Sequence, residues 1–405
     1  MLPSKSILIF GTGRLQQSLI EGCQRKGLFT VGIDPNPEAE CRGLVDVFEV
    51  VDGNDFETTL SLAQKYRVAG VITAATDKPL VMMAQVAEKM KLPFFSVDTA
   101  HNATDKLLMK QKLMAAHLPC AKGFLVARAA ELPVKELAFP VIVKPRDNSG
   151  SRGVLYCDKP EAFAAALEAA LKFTKKDAVL VEEYIGGQEY SIEALHYEGE
   201  HRVVQFTEKS TTDFPYNVEI AHIQPADLSP RQRRELGGLV AQIGQAMGFE
   251  NCASHTEIKL NSKGVFIIET SPRLGGGYIS SSLVPLSTGF DLEGALIDLS
   301  IGLNGGQAEL NVETQKHSGI KFFQLAPGTV SRVGRLDALM QIEGCRSYAF
   351  DLHEGQRIPQ LTSGLDRYGY AIFQAQSRDE LTRCMGRAEA LIAKEISIEE
   401  DGSGK

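Results

Sequence analysis

The sequence predicts an α/β N-terminal domain on a parallel sheet, then an α+β region of long antiparallel strands, then a small C-terminal α+β lobe. Three observations carry this. Through the first hundred residues strand-like and helix-like segments alternate across short links, the pattern of a parallel sheet covered on both faces. Beyond residue 104 extended segments come in pairs, two of them joined by the polar turns Glu198-Gly199-Glu200 and Asn261–Gly264, as hairpins require. At 405 residues the chain exceeds one ordinary core, and ~100–200 residues per domain implies two to four units. The expected division is 1–103, 104–305 in two subdomains, 306–396, and a polar, disordered tail over 397–405.

In chain order, the apolar run Lys5–Phe10 reads as a strand that meets Gly11 and Gly13 and turns into a helix over Arg14–Lys26. A second strand ends at Asp34, Asp46–Val51 is a third, and Asn54–Tyr66 is helical. Gly70–Ala74 is another apolar strand, followed by a helix over Pro79–Met90. An amphipathic helix at Asp105–Ala116 leads into extended stretches at Lys122–Ala127, Phe139–Lys144, Gly153–Cys157 and Val179–Tyr184, interrupted by a helix between Pro160 and Phe173. Two hairpins follow, Glu189–Tyr197 with His201–Lys209 and Ser254–Leu260 with Val265–Thr270. Between them Ser229-Pro230 combines an N-cap with an N1 proline and opens a helix to about Met247. Toward the C-terminus come strands near Lys321–Leu325 and Tyr370–Gln374. A final helix from Arg378 is capped by Ser377 with Glu380 three residues on, and Leu381, Cys384, Met385, Ala388, Leu391 and Ile392 form its apolar stripe.

Composition excludes several classes. With 43% hydrophobic and 23% charged residues the chain is globular in type, and a net charge of −8 argues against a nucleic-acid or anionic-membrane surface. No apolar run approaches the ~20 residues of a membrane span, so a cytoplasmic protein is expected. The seven cysteines never form C-x-x-C and read as buried thiols. The eight histidines are scattered, without H-E-x-x-H; His101, His117 and His196 receive no role.

Five segments could carry chemistry. Gly11–Gln16 matches a dinucleotide loop only in part, since Gln16 stands where a third glycine belongs, although Asp34 fits the ribose-binding acid. Lys144 ends the apolar strand Phe139–Lys144 and precedes a Gly/Ser loop, Asp147–Gly153, whose backbone N–H groups could cradle phosphates. Glu182–Glu189 joins two strands through Gly186-Gly187, offering exposed amides for a base and Glu182 or Glu189 for a ribose. Glu257 and Glu269 lie on opposite arms of the Asn261–Gly264 hairpin. Allowing a bulge they face each other at ~5 Å between Cβ atoms, a repulsion that a divalent cation relieves. By parity Lys259 and Ser271 share that face. Arg273 then sits in the rigid turn Ser271–Gly277, able to aim a planar fork of donors at a transferring phosphoryl group.

In this order (Lys106, Lys144-Pro145, the Gly/Ser loop, Glu182–Glu189, Thr256–Lys259, Ile268–Arg273) the motifs resemble the ATP-grasp superfamily. The resemblance is to the branch holding biotin carboxylase, carbamoyl-phosphate synthase, the purine-pathway ligases and the L-amino-acid ligases. It covers nearly the whole chain: residues 1–103 resemble the pre-ATP-grasp domain, 104–305 the grasp, and Asp366–Tyr370 with the last helix the C-terminal lobe. It implies that Lys106 and Lys144 contact ATP phosphates and that Asn148, Ser149, Gly150, Ser151 and Gly153 form a closing lid. It further implies that Glu182 and the backbone of Glu183, Tyr184 and Ile185 frame the adenine, and that Glu189 holds the ribose. Glu257 and Glu269 would bind Mg²⁺, or Mn²⁺, with Ser271 beside them. Arg273, with Lys259 and His255, would serve the transfer, and His255–Lys259 looks like the amino-acid-ligase version of its motif. There is one departure: Ser271 stands where the family usually has Asn, and a hydroxyl is a poorer neutral metal ligand.

The implied reaction joins a small carboxylate to an amine through an acyl phosphate, releasing ADP and phosphate. No Cys or Ser has an adjacent His base, so the substrate carboxylate itself is the nucleophile toward ATP. The sister reading is a bicarbonate-phosphorylating carboxylase. The reading from another class is a nicotinamide oxidoreductase using Gly11, Gly13 and Asp34. Substrate contacts are expected near Asp77, Lys209, Gly275 and Gly276. The expected partners are small molecules, not nucleic acid or membrane, with a homodimer left open.

Overall fold

A computed structural model describes residues 5–127, 137–148, 150, 152–303 and 314–399. The N-terminal sheet is parallel, with strands β1 (Ser6–Phe10), β2 (Phe29–Asp34), β3 (Val47–Val50) and β4 (Val68–Ile72) in the order β3-β2-β1-β4. Strands β1, β2 and β4 are Val/Ile-rich and largely buried because helices cover both faces, whereas the edge strand β3 is part-exposed. The order reverses at β1/β4, where an open parallel sheet leaves a crevice at its carboxyl edge. Loop side chains fill part of it: Gln16 Nε2 donates to the Ala74 carbonyl at 2.7 Å and Thr12 N donates to Asp34 Oδ2 at 2.9 Å. Asp34, the acid that suggested a dinucleotide, and Gln16, which stands in place of its third glycine, therefore knit the loop together.

A small antiparallel sheet, β5 (Gly123–Val126), β6 (Val141–Lys144), β7 (Leu155–Cys157) and β8 (Val179–Glu183), has the order β5-β8-β6-β7. Val141, Val143, Val179 and Val181 pack one face against Phe163, Ala166, Leu167 and Ala170 of the Pro160–Leu171 helix. Alternation sends Ile142, Lys144, Tyr156 and Glu182 to the other face.

The largest sheet contains β9 (Gln188–Tyr197), β10 (Glu200–Thr211), β11 (Glu219–Gln224), β12 (Cys252–Asn261), β13 (Gly264–Ser271) and three later strands, β14 (His317–Phe322), β16 (Cys345–Phe350) and β18 (Gly369–Ala375). Its order is β13-β12-β9-β10-β11-β14-β18-β16. Tyr190, Ile192, Ala194, Ile258 and Ile267 on its back join one core with Leu8, Phe10 and Val31 of the N-terminal sheet and Leu236, Val240 and Ile243 of the Pro230–Met247 helix. β15 (Gly328–Val333), β17 (Arg357–Ile358) and β19 (Ile396–Glu399) form a separate three-stranded sheet.

Several elements depart from the sequence reading. The helices Val97–Thr104 and Leu292–Ser300, the π-helix Ile279–Leu283 and strand β11 were not expected. β11 hides because its buried side chains include His222 and Gln224, so its polar residues point inward against the usual alternation. Ser397–Glu399 pair with β15 and are not tail; residues 400–405 lie outside the described residues. The cysteines are free, and only Cys120 is part-exposed. No helix among the described residues is long and apolar enough to cross a membrane.

Candidate active site

Register explains how distant residues reach one place. Across the large sheet Ser271, His255 and Glu193 are successive partners, Glu269, Glu257 and Ser191 form the next row, and Lys259 pairs with Glu189 in a further one. Directly paired residues share a face, so these rows make a polar carpet opposite the apolar back. The bulge between Glu257 and Ile258 restores the parity that sets Glu257 opposite Glu269. The cavity face of the small sheet lies over this carpet. The Lys106–Ala115 helix adds Lys106 and Lys110, one turn apart; its N-cap Asp105 accepts from Leu107 N and is held by Arg146 Nη2 at 2.7 Å.

The enclosed cavity is about 210 Å³ and has two unlike ends. Ile142, Val154, Tyr156, Tyr184, Phe214 and Ile268 make one apolar. Lys106, Lys144, Lys209, Arg273 and Arg367 make the other charged, with Glu182, Glu219, Glu257 and Glu269 among them. Asn148, Gly150, Glu183, Ile185, Glu189, His255, Lys259 and Ser271 also line it. Ser149 and Ser151 lie outside the described residues.

Within this cavity Glu257 and Glu269 already have cations. Lys106 Nζ lies 2.5 Å from Glu269 and Lys209 Nζ 2.6 Å from Glu257. Lys209 also reaches Glu189 at 2.9 Å and Glu219 at 2.6 Å. Burial alone would lower the pKa of the Lys209 ammonium, but the carboxylates hold it well above the usual lysine value. Burial would likewise raise Glu257, yet Lys209 and His255 keep it far below the ordinary carboxylate range. Lys259 is lowered by desolvation, with Glu189 at 3.9 Å the nearest counter-charge, and it sits 5.3 Å over the Tyr184 ring.

His255 is the most constrained group. Its Nδ1 lies 2.5 Å from Glu193 and its Nε2 3.3 Å from Glu257. Burial would depress its pKa, but Glu193 foremost and then Glu257 push it up to about 9, so it is a cation at neutral pH. Glu193 is fully buried and also accepts from Gly275 N and Ser280 Oγ, both at 3.1 Å. One carboxylate thus orients the histidine and pins the glycine turn. A Cβ on Gly275 would fall 2.7 Å from His255 Nδ1, which explains glycine there.

Other sequence-predicted residues already have protein partners or surroundings of their own. Asp77 is not open to substrate: its carboxylate takes Arg273 Nε at 2.7 Å, Arg273 Nη2 at 3.0 Å and Ser271 Oγ at 2.5 Å, fastening the catalytic-arginine candidate to the N-terminal sheet. Glu182 turns away from any base toward Lys110 at 2.7 Å and Lys144 at 2.6 Å, so Lys144 is buried against a carboxylate, not bare. Glu183 N and Tyr184 N already donate to the Lys122 and Pro140 carbonyls. Gly275 and Gly276 line a second cavity of about 470 Å³ with Ala75, Tyr278 and Glu293, while Gly153 lies against Phe173. Sequence reasoning missed Lys110, Glu193 and Arg367, and reached Phe214 and Glu219 only as part of the stretch Ser210–Glu219, expected to shape specificity. Only Lys110 had a signal, its position four residues after Lys106 on one helix face.

Among the described residues no group of three or more His, Cys, Asp and Glu gathers as a ready metal site. Two facing carboxylates nevertheless fit a hard divalent ion that takes its remaining ligands from phosphate oxygens and water. Ser271 Oγ is engaged as a donor to Asp77.

The sequence matches the ATP-grasp domain family over residues 137–282 and the L-amino acid ligase C-terminal domain 2 over 321–397. Alanine–anticapsin ligase of Bacillus amyloliquefaciens is 26% identical over 268 residues, 60% of this chain and 56% of that protein. Dapdiamide A synthase of Enterobacter agglomerans is 26% identical over 245 residues, 56% and 55%. The chain thus spans little more than half the length of these two relatives. In fold it is similar to the L-amino acid ligase of Bacillus licheniformis, at TM-score 0.84, 20% identity and coverage of 98% and 99%. It is also similar to phosphoribosylglycinamide synthetase of Anaerococcus prevotii, at TM-score 0.74, 22% identity and coverage of 98% and 100%.

Proposed function

Because residues 137–282 match the ATP-grasp domain family and 321–397 the L-amino acid ligase C-terminal domain 2, we propose that the chain is an ATP-dependent carboxylate–amine ligase acting on small, amino-acid-like substrates. The observation that carries the reading is the polarity of the cavity, an aromatic and apolar end beside lysines and arginines interleaved with glutamates. That shape and charge suit a ligand with a planar base and a polyanionic tail. The matches to amino-acid-joining relatives support the substrate class.

In this reading Ile142, Tyr184 and Ile268 seat the base, and Ile185 supplies backbone to its edge. Glu189 takes the ribose. Lys106 and Lys144 exchange a carboxylate partner for phosphate oxygens, and Asn148 and Gly150 belong to the covering loop. Glu257 and Glu269 would hold Mg²⁺, which when bound neutralises phosphate charge. The substrate carboxylate attacks the γ-phosphate, ADP leaves, and the amine displaces phosphate from the acyl carbon. Arg273, held rigid by Asp77, aims donors at the charge that develops. His255, a cation pinned by Glu193, holds positive charge beside the reacting carboxylate and cannot accept a proton while Glu193 and Glu257 face it. Lys259, whose pKa desolvation lowers, is the group better able to take the amine's proton.

Two measurements test this. ATP–Mg²⁺ should raise the melting temperature while NAD does not. A panel of L-amino acids, each offered as carboxylate and as amine, should release ADP only in productive pairs. No stabilisation by ATP and no carboxylate-dependent ADP would end the reading.

A further inference from the structure

Segment 212–218, between β10 and β11, is the one wall of the cavity contributed by a large-sheet loop that reaches over to the small sheet. Its base is zipped: Thr212 N donates to the Val218 carbonyl at 2.8 Å, Val218 N to Thr212 Oγ1 at 2.9 Å, and Thr211 Oγ1 to Asn217 Oδ1 at 2.9 Å. Asn217 holds φ 49°, a conformation only short polar residues and glycine adopt readily. The tip, residues 213–216, is a turn that makes no hydrogen bond to the described residues outside the loop.

What holds the tip is one aromatic ring. Phe214 stacks on Tyr156 of β7 at 4.2 Å between centroids, 24° from parallel, and meets Tyr184 edge-on at 5.3 Å. Tyr156 and Tyr184 themselves meet at 5.1 Å. Phe214, Pro215 and Tyr216 all line the cavity, so the ring bridges the two sheets across its apolar end.

The space does not suit a nucleotide as it stands. At about 210 Å³ the cavity is smaller than the ~300–1,000 Å³ of ordinary small-molecule sites. Nor can a base slide between the rings: with contact distances of ~3.5 Å on each side, an inserted plane needs about 7 Å, against the 4.2 Å present. Either the base binds elsewhere or Phe214 leaves.

Resting on the nucleotide reading above, we propose that Phe214 is a built-in plug of the base pocket, occupying the surface of Tyr156 and Tyr184 until a purine base displaces it. The zipped base of the loop and a tip without hydrogen bonds outside the loop make the motion local, a swing of residues 213–216 about a fixed neck. Each aromatic pair is worth about 2- to 13-fold in an equilibrium constant. Unseating two such contacts lowers the population of the open form, and apparent affinity falls by that same fraction.

The chain contains no Trp, so Phe214→Trp introduces a single indole at the plug. Calorimetric titration with ATP–Mg²⁺ should show Phe214→Ala binding about tenfold more tightly than wild type. Stopped-flow mixing of Phe214→Trp should show emission moving to the red and acrylamide quenching rising as ATP binds. Weaker or unchanged ATP binding by Phe214→Ala would make the ring a part of the base seat and overturn the plug. Wild-type binding by calorimetry with no change in the indole's emission or quenching would overturn it as well. If neither wild type nor either variant binds ATP, the nucleotide reading itself fails and the plug with it. Binding by Phe214→Ala alone would be its strongest support.

Discussion

Replacing Glu182 by Gln probes the electrostatics of the cavity most directly. The carboxylate is buried, with Lys110 Nζ 2.7 Å from one oxygen and Lys144 Nζ 2.6 Å from the other. Burial alone would raise its pKa, but the two lysines override burial and hold it below the ordinary value. Two cations and one anion leave the cluster at +1. Without the anion, two ammonium groups about 5 Å apart repel by roughly 3 kcal/mol at an effective dielectric near 20. Removing one partner from buried pairs costs about 3–5 kcal/mol in general, so Glu182→Gln should lose about 3 kcal/mol in urea unfolding at pH 7.5. Lys110→Met leaves a neutral pair and should cost about 1 kcal/mol, chiefly the Ala121 carbonyl it abandons. The double variant should recover most of the Glu182→Gln loss. The sign with pH follows from a depressed folded pKa: the contribution is present above the unfolded value of 4.5 and is lost as pH falls through the lower folded value. Wild type and Glu182→Gln should therefore converge as pH falls through that lower folded value. A loss under 1 kcal/mol at pH 7.5, or a double variant no more stable than Glu182→Gln, would refute this account.

Three further outcomes are expected. Glu269→Ala should abolish ADP release while leaving much of the nucleotide affinity, whereas raised Mg²⁺ or Mn²⁺ should partly rescue Glu257→Gln; full ADP release by both at low Mg²⁺ would remove the pair from the mechanism. Glu293, buried with Ser18 Oγ at 3.0 Å, is pushed up to about 7 by burial from 4.5. A raised acid stabilises below its unfolded pKa and that stability is lost as pH rises through 7, so Glu293→Gln should be more stable than wild type by about 2–3 kcal/mol at pH 8 and equal to it at pH 4.5; urea midpoints at the two pH values decide it. Gly275→Ala places a Cβ 2.7 Å from His255 Nδ1 and 2.8 Å from Glu193, and should cut turnover at least tenfold while calorimetry finds ATP–Mg²⁺ binding nearly unchanged.

The order of chemistry along the chain was legible from residues alone. Lys144, Glu257, Glu269 and Arg273 could be named because apolar strands lead to them and hairpin parity sets a face, whereas Lys106 came only with the family resemblance; register put Glu257 opposite Glu269 through the bulge that parity required. Local pattern determines such things because strand period and turn chemistry act over a few residues.

Which charge meets which was not legible. Glu193 binding His255, Asp77 binding Arg273 and Glu182 joining Lys110 to Lys144 link positions 62, 196, 72 and 38 residues apart. The sequence names the donors and acceptors, but every lysine in it could answer every carboxylate. Partner choice among buried charges is decided by distance and desolvation, and these exist only after the N-terminal sheet, the small sheet and the polar face of the large sheet have closed on one cavity. The same holds for Phe214, an unremarkable loop residue in one dimension that becomes a wall of the cavity when Tyr156 and Tyr184 arrive beside it.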